Sequence, residues 1–287
     1  ESINVPAVVK IGRVDIIRER AVRAVTMLKI ATFNVNSVRS RMHILSQWLH
    51  DNRVDVLCLQ ETKTEDQFFP ASEFEALGYE AVFKGEKAYN GVALLSLHPI
   101  MNPHFGLEDG EEPDPATRIV RGTVLGVHII NTYVPQGKSI DHSDYQYKMR
   151  FFDRLKTLFD REYSKADGLL WVGDMNVAPT DIDVTNPDNK RDHVCFHEDI
   201  KKKFEEIKAW GFIDIFRKYR PGDGEFSFFD YRVKNALERN IGWRIDHILA
   251  TSSLAHRSED CYVDRGPRGW EKPSDHAPVV GVFNIDE

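Results

Sequence analysis

The sequence predicts an α/β protein in which two packed, mixed β-sheets are flanked by helices. Three observations carry that expectation. Short apolar runs of strand length alternate with longer amphipathic segments. Several neighbouring runs read as hairpin pairs, which favours packed mixed sheets over a doubly wound parallel sheet. No linker, low-complexity stretch or internal repeat interrupts the 287 residues. A single domain over residues 27–287 is expected, preceded by an extension, residues 1–26.

Taken in order, Ile11 to Val25 carries Arg13, Arg18, Arg20 and Arg23 and reads as a basic helix. Met27 reads as the functional start, with a strand from Leu28 to Phe33. Ser40 to Asp51 places Ile44, Leu45, Trp48 and Leu49 on one helix face. Val54 to Leu59 is a strand, and Phe74 to Leu77 is a helix end stopped by Gly78. Strands Tyr79 to Phe83 and Gly91 to Leu97 surround a turn at Tyr89-Asn90-Gly91. Arg118 to Leu125 pairs with Val127 to Val134, and Ser143 to Tyr163 is the longest helix. Leu169 to Val172 is a buried strand, and Asp199 to Trp210 a helix stopped by Gly211. Trp243 to Ala250 and Pro278 to Phe283 complete the strands.

Composition narrows the function. Net charge is −7, from 38 Lys+Arg and 45 Asp+Glu, which argues against a protein that coats nucleic acid indiscriminately. A local basic face remains compatible with that value. No apolar run approaches the roughly 20 residues of a membrane span, so no membrane association is expected. Cys58, Cys195 and Cys261 have no paired spacing, which points to a reduced, cytoplasmic setting and away from structural zinc.

The strand ends are unusually polar. The first runs into Asn34 and Asn36, and the second into Gln60-Glu61. Others end in Asn131-Thr132-Tyr133 and in Asp174 and Asn176, two apart and so on one face if extended. Asp246-His247 lies within a further strand, and Ser274-Asp275-His276-Ala277-Pro278 precedes the last. Buried carboxylates are rare unless paired or metal-bound, so convergence on one rim is the economical reading. Carboxylates and amides are hard oxygen donors, suited to Mg²⁺ or Mn²⁺. There is no Gly-x-Ser-x-Gly elbow and no phosphate-binding lysine loop. A histidine with acidic neighbours and a divalent ion suits phosphodiester hydrolysis.

Phe33-Asn34-Val35-Asn36, Leu59-Gln60-Glu61-Thr62-Lys63, Gly173-Asp174-Met175-Asn176, Arg244-Ile245-Asp246 and Lys272-Pro273-Ser274-Asp275-His276-Ala277-Pro278 stand in this order. Together they resemble the exonuclease III family of abasic-site (AP) endonucleases. Tyr133-Val134-Pro135-Gln136-Gly137 and Phe226 to Arg232 extend the resemblance, which runs from Met27 to about Phe283. It implies a four-layer α/β sandwich of the DNase I-like kind. It also implies Mg²⁺-dependent cleavage 5′ to an abasic site in duplex DNA, leaving a 3′-hydroxyl and a 5′-deoxyribose phosphate. Many members also trim 3′ ends or remove 3′ phosphates. Abasic duplex DNA and 3′ ends are therefore the expected partners, and a monomer the expected state.

The resemblance also assigns roles. Glu61 matches the principal metal carboxylate, with Asn34 beside it and Asp275 as a further ligand. Asp174 orients or deprotonates water, and Asn176 holds that water or a phosphate oxygen. His276 contacts the phosphate, with Asp246 fixing its tautomer. Tyr133 donates to a phosphate oxygen or assists the leaving group. Arg118, Gln136, Lys138 and Arg232 are the expected DNA contacts. Phe228, Trp243 and Ile245 would line the pocket for the bare sugar. Relatives of the exonuclease III type often carry Trp at the Phe228 position. Phe there, with Trp243, resembles the branch strongest as AP endonucleases. His247 points to the opposite strand face and is expected to be structural. Arg217-Lys218-Tyr219-Arg220 reads as a solvated turn. The rivals are a phosphoesterase of the same fold acting on another phosphodiester or phosphomonoester, and a non-catalytic DNA-binding relative.

Overall fold

A computed structural model describes residues 26–113 and 115–286; the basic segment from Ile11 to Val25 lies outside them. In chain order the strands are β1 (Met27–Asn34), β2 (Val56–Gln60), β3 (Glu80–Lys84), β4 (Val92–Ser96), β5 (Met101–Phe105) and β6 (Ile119–Val124). They continue with β7 (Val127–Tyr133), β8 (Leu169–Asp174), β9 (Phe212–Asp214), β10 (Asp246–Thr251), β11 (Ser258–Val263) and β12 (Val279–Asn284). The helices are α1 (Val38–Asp51), α2 (Ala71–Ala76), α3 (Ser143–Glu162), α4 (Glu198–Lys208), α5 (Ile215–Tyr219) and α6 (Ser252–Ala255). One sheet has the order β11-β12-β1-β2-β4-β3 and the other β5-β6-β7-β8-β10-β9.

Period-two alternation divides each central strand between two cores. Leu28 and Ile30 of β1, Val56 and Cys58 of β2, Val127 and Ile129 of β7, Leu170 and Val172 of β8, and Ile248 of β10 meet between the sheets. The opposite phase faces helices. Ala31 and Phe33 pack with Ile44, Leu45 and Trp48 of α1. Leu169 and Trp171 pack with Phe152, Leu155 and Phe159 of α3 and with Ile200 and Phe204 of α4. The result is four layers, helix–sheet–sheet–helix, as expected.

The inter-sheet phase, followed to the strand ends, reaches Asn34, Gln60, Tyr133 and Asp174. β1 runs parallel to β2, and β7 parallel to β8. Antiparallel β10 starts where β8 ends, with Asp246 opposite Asp174. The acids therefore gather at one end of an apolar layer. Gly173 is needed for this close approach: its φ is +136°, and an added Cβ would lie 1.9 Å from the Thr132 carbonyl oxygen.

Some elements differ from expectation. The strands that sequence patterning missed, β5, β9 and β11, all lie on sheet edges. An edge strand needs less apolar content, and Pro103 in β5 is tolerated there. Arg217 to Tyr219 is not a solvated turn but part of α5. Arg217 pairs with buried Asp183, and Lys218 donates to the Ala255 carbonyl at 2.8 Å. Trp243 precedes β10 and makes only isolated bridges, to Val184 and Phe228.

Arg244 ties this region to the sheet. It is buried and donates to Asp183 (2.6 Å), Asp214 (2.9 Å) and Nδ1 of His247 (3.0 Å). His247 is accordingly packed and neutral, its Nε2–H donating to the Val177 carbonyl at 2.8 Å. Burial, reinforced by the Arg244 charge, pulls the imidazole down to about 4. The unfolded chain then binds more protons than the native one between about pH 6.5 and 4, so this residue erodes stability as pH falls through that window. The loss amounts to about 3 kcal/mol. Urea midpoints of wild type and His247→Gln should converge as pH drops from 7 to 4; parallel profiles would remove His247 from the acid response.

Candidate active site

Turns at the strand exits carry the polar groups. Asn36, Glu61, Lys63 and Asn176 have φ of 45°, 51°, 51° and 50°. Asparagine tolerates this left-handed region, whereas Glu and Lys there hold backbone strain of the kind concentrated at functional sites. Asp174 and Asn176 do not share a face by strand alternation, because the strand stops at Asp174. A turn joins them instead, with the Asn176 amide donating to Asp174 Oδ1 at 3.0 Å.

A cavity of about 370 Å³ collects Glu61, Tyr133, Asp174, Asn176, Asp275 and His276 with Phe228, Trp243 and Ile245. Asn34 links the two sheets by donating from Nδ2 to Glu61 Oε1 and to Asp174 Oδ2, each at 2.9 Å. Its Oδ1 accepts from the Asn36 amide at 3.1 Å, which leaves that oxygen one lone pair free. Glu61 Oε2 pairs with Lys63 at 2.6 Å. Asp275 Oδ1 accepts from Asn36 Nδ2 at 3.1 Å.

His276 sits between two acids. Its Nδ1 donates to Asp246 Oδ2 at 2.8 Å, and its Nε2 lies 3.8 Å from Asp174 Oδ2. Ser227 Oγ donates to the same Asp246 oxygen at 2.6 Å. Burial opposes the imidazolium, but the Asp246 carboxylate outweighs it and pushes His276 up to about 10. Asp174 moves the other way. Burial first, then the Asp246 charge, lifts it to about 7 against the opposing pull of His276 and Asn34. Burial and the charges of Glu61 and Asp174 hold the Tyr133 phenol well above its usual range. Glu61 stays low: Lys63 and Asn34 overcome its desolvation. At neutral pH the cavity thus holds a cationic donor, a neutral phenol donor, a poised carboxylate and an anionic carboxylate. Titratable groups pushed apart in this way divide acid from base roles.

The apolar wall adjoins these groups. Phe228 forms backbone bridges to both Trp243 and His276, and its ring centroid is 4.9 Å from the imidazole. The expected DNA contacts are less converged. Arg118 stacks over Tyr133 at 4.8 Å and donates to its carbonyl at 3.3 Å. Lys138 pairs with Asp144 at 2.8 Å beside a neighbouring cavity, while exposed Gln136 borders both. Arg232 is exposed and pairs with Asp230 at 2.6 Å. Sequence reasoning named Asn36 at the polar end of the first strand without giving it a role, and did not single out Lys63 or Ser227, although each stood inside a quoted motif. It also missed His193, which packs 4.6 Å from the Trp243 ring. His193 lies in a loop without periodicity, and nothing in the sequence signals it.

The family model for the endonuclease/exonuclease/phosphatase family matches residues 31–276. The chain belongs to this family. It is 35% identical over 268 residues to exodeoxyribonuclease III of Haemophilus influenzae, covering 89% of this chain and 100% of that one. An AP endonuclease structure from Archaeoglobus fulgidus shares 50% identity with a TM-score of 0.88, covering 90% of this chain and all of the other. A 3′ phosphatase from Neisseria, solved with product DNA hairpin, shares 35% identity with a TM-score of 0.84 over 89% and 99% of the two chains. The protein is thus an enzyme of the exodeoxyribonuclease III and AP endonuclease type, in a family of metal-dependent nucleases. Asp174, Asp246 and His276 form a buried cluster whose ligand-type atoms lie within 4.8 Å of one another.

Because Asp246 is hydrogen-bonded to His276 Nδ1, losses at the two positions should overlap. His276→Ala should lower turnover by at least ~10²-fold, the scale for a positioned transition-state donor. Asp246→Asn should remove much of the same contribution, so the double variant should be far less impaired than the product of the singles. Single-turnover rates for the four proteins complete the cycle, and multiplicative losses would separate the two residues.

Proposed function

We propose that residues 27–287 form one catalytic domain, a Mg²⁺-dependent DNA-repair nuclease. It hydrolyses the phosphodiester 5′ to an abasic site in duplex DNA, leaving a 3′-hydroxyl and a 5′-deoxyribose phosphate. The observation that carries this reading is the geometry of one cavity, where His276, bonded to Asp246 at 2.8 Å, lies 3.8 Å from Asp174 beside an apolar wall. His276 is held cationic and Asp174 is lifted to about 7, next to Phe228, Trp243 and Ile245.

The donor set suits a hard divalent cation, since Glu61 and Asp275 both line the cavity and offer carboxylate oxygens. Magnesium would be held by these two residues and would supply charge stabilisation at the phosphate oxygens. Asn34 supports the Glu61 ligand from behind. Asp174 accepts the proton of the attacking water. Asn176 spends one Nδ2 hydrogen on the Val134 carbonyl at 2.9 Å, leaving the other for water or a phosphate oxygen. His276 Nε2–H donates to a phosphate oxygen, and the protonated Tyr133 donates toward the leaving 3′-oxygen. Arg118, Gln136, Lys138 and Arg232 grip the flanking backbone, where contacts position rather than specify.

Selection of damage follows from the wall. A nucleotide must be extruded to reach the cavity, and a missing base lowers the unstacking cost. Phe228, Trp243 and Ile245 accept the bare sugar. The same cavity serves 3′ ends, a reading favoured by the Neisseria 3′ phosphatase.

Duplexes with and without one synthetic abasic site, incubated with and without Mg²⁺, test the proposal. Internal cleavage should need both the lesion and the metal, and its products should carry 3′-hydroxyl and 5′-deoxyribose phosphate ends. Trp243→Ala should narrow the difference between damaged and intact duplex while leaving the metal requirement. Equal cleavage of both duplexes by wild type, or none of either, would contradict the assignment.

A further inference from the structure

Lys148, on α3, has no place in the chemistry described so far, yet its side chain is fully buried. A buried ammonium is costly unless its hydrogen bonds are met. Its ammonium donates to three backbone carbonyls: Asn176 at 2.7 Å, Val194 at 2.8 Å and Gln136 at 3.2 Å. Each carbonyl belongs to a different segment of the cavity. Asn176 follows β8. Gln136 lies in the loop after β7, just beyond Tyr133. Val194 stands between His193, which packs on Trp243, and Cys195, which lines the cavity.

These segments also bond to one another, but in pairs. Asn176 Nδ2 donates to the Val134 carbonyl at 2.9 Å, and the Ala178 amide donates to the Cys195 carbonyl at 2.8 Å. The Lys148 ammonium joins all three at one point. The Gln136 loop closes down on the lysine stem: Gly137 has φ +101°, and an added Cβ there would lie 3.4 Å from Lys148 Cδ. Carbonyl dipoles converging on a cation in a low-dielectric interior make a rigid joint.

We infer that Lys148 is a positioning residue whose ammonium fixes Asn176, the Tyr133–Lys138 loop and the Val194 segment in mutual register for catalysis. This rests on the cleavage reading above. Reacting groups displaced by ~1 Å can cost ~10²-fold in rate. Loss of the joint should therefore appear in turnover and not merely in stability.

The test compares wild type, Lys148→Met and Lys148→Arg on abasic duplex at saturating Mg²⁺. Met keeps the stem and removes the donors; Arg keeps the charge and several donors. Turnover is expressed per folded molecule, well below each melting midpoint. Lys148→Met should lose at least ~10-fold in kcat with KM changed much less, and Lys148→Arg should recover a substantial part of that loss. A residue that only supports the fold would leave kcat per folded molecule unchanged. The inference fails if folded Lys148→Met turns over within twofold of wild type. Should Lys148→Met not fold, Lys148→Gln, which keeps two donors and drops the charge, takes its place: a kcat loss of ~10-fold or more in folded protein supports the joint, and kcat within twofold of wild type overturns it. Absence of cleavage by wild type would refute the underlying reaction, whereas active wild type with an indifferent Lys148→Met would refute this inference alone.

Discussion

The structure depends on holding negative charge at the end of an apolar layer. Asp174 and Asp246 face each other across neighbouring strands, and both are buried. Two carboxylates so placed cannot both ionise cheaply without a cation between them. His276 supplies it, with Nδ1 bonded to Asp246 and Nε2 facing Asp174. The arrangement also divides the roles. The acid that bonds the imidazole directly keeps it charged, while the more distant acid is left poised to accept a proton.

The second sheet adds Glu61, compensated by Lys63 and linked to Asp174 through Asn34. Asn34 is thus a bridge between sheets as well as a neighbour of the anionic oxygens. Behind it, Gln60 donates to Thr32 at 2.9 Å and to Asn131 at 2.7 Å, a polar tier between the catalytic rim and the apolar core. Although Gln60 Oε1 is left without a partner, the directional bonds of this buried network favour one sheet-to-sheet register over its alternatives. Geometry at the rim is therefore a consequence of how the layers pack.

Much of this was legible in the sequence because strand alternation is a local code. The phase that buries Leu170 and Val172 also aims Asp174, and the phase of Leu28 and Ile30 aims Asn34. Polar residues at the ends of apolar runs were enough to mark the rim. β5 and β11 escaped notice because each has one neighbour and little need for apolar residues. The conformation of Asn176 escaped because a left-handed exit turn overrides alternation. Arg217 looked solvated because its partner, Asp183, is distant in sequence; pairings of that kind follow from the fold and not from composition. Lys148 carried no signal, since a lysine on an amphipathic helix reads as surface until three loops close over it.

The central claim is that His276 carries the charge that makes the buried acids tolerable. Nitrogen-15 NMR of the imidazole in metal-free protein measures this directly. Both ring nitrogens should report an imidazolium at pH 7 and 8, with the proton leaving only near pH 10, and Asp246→Asn should bring that midpoint down sharply. A neutral imidazole at pH 7 in the wild-type protein would contradict the account.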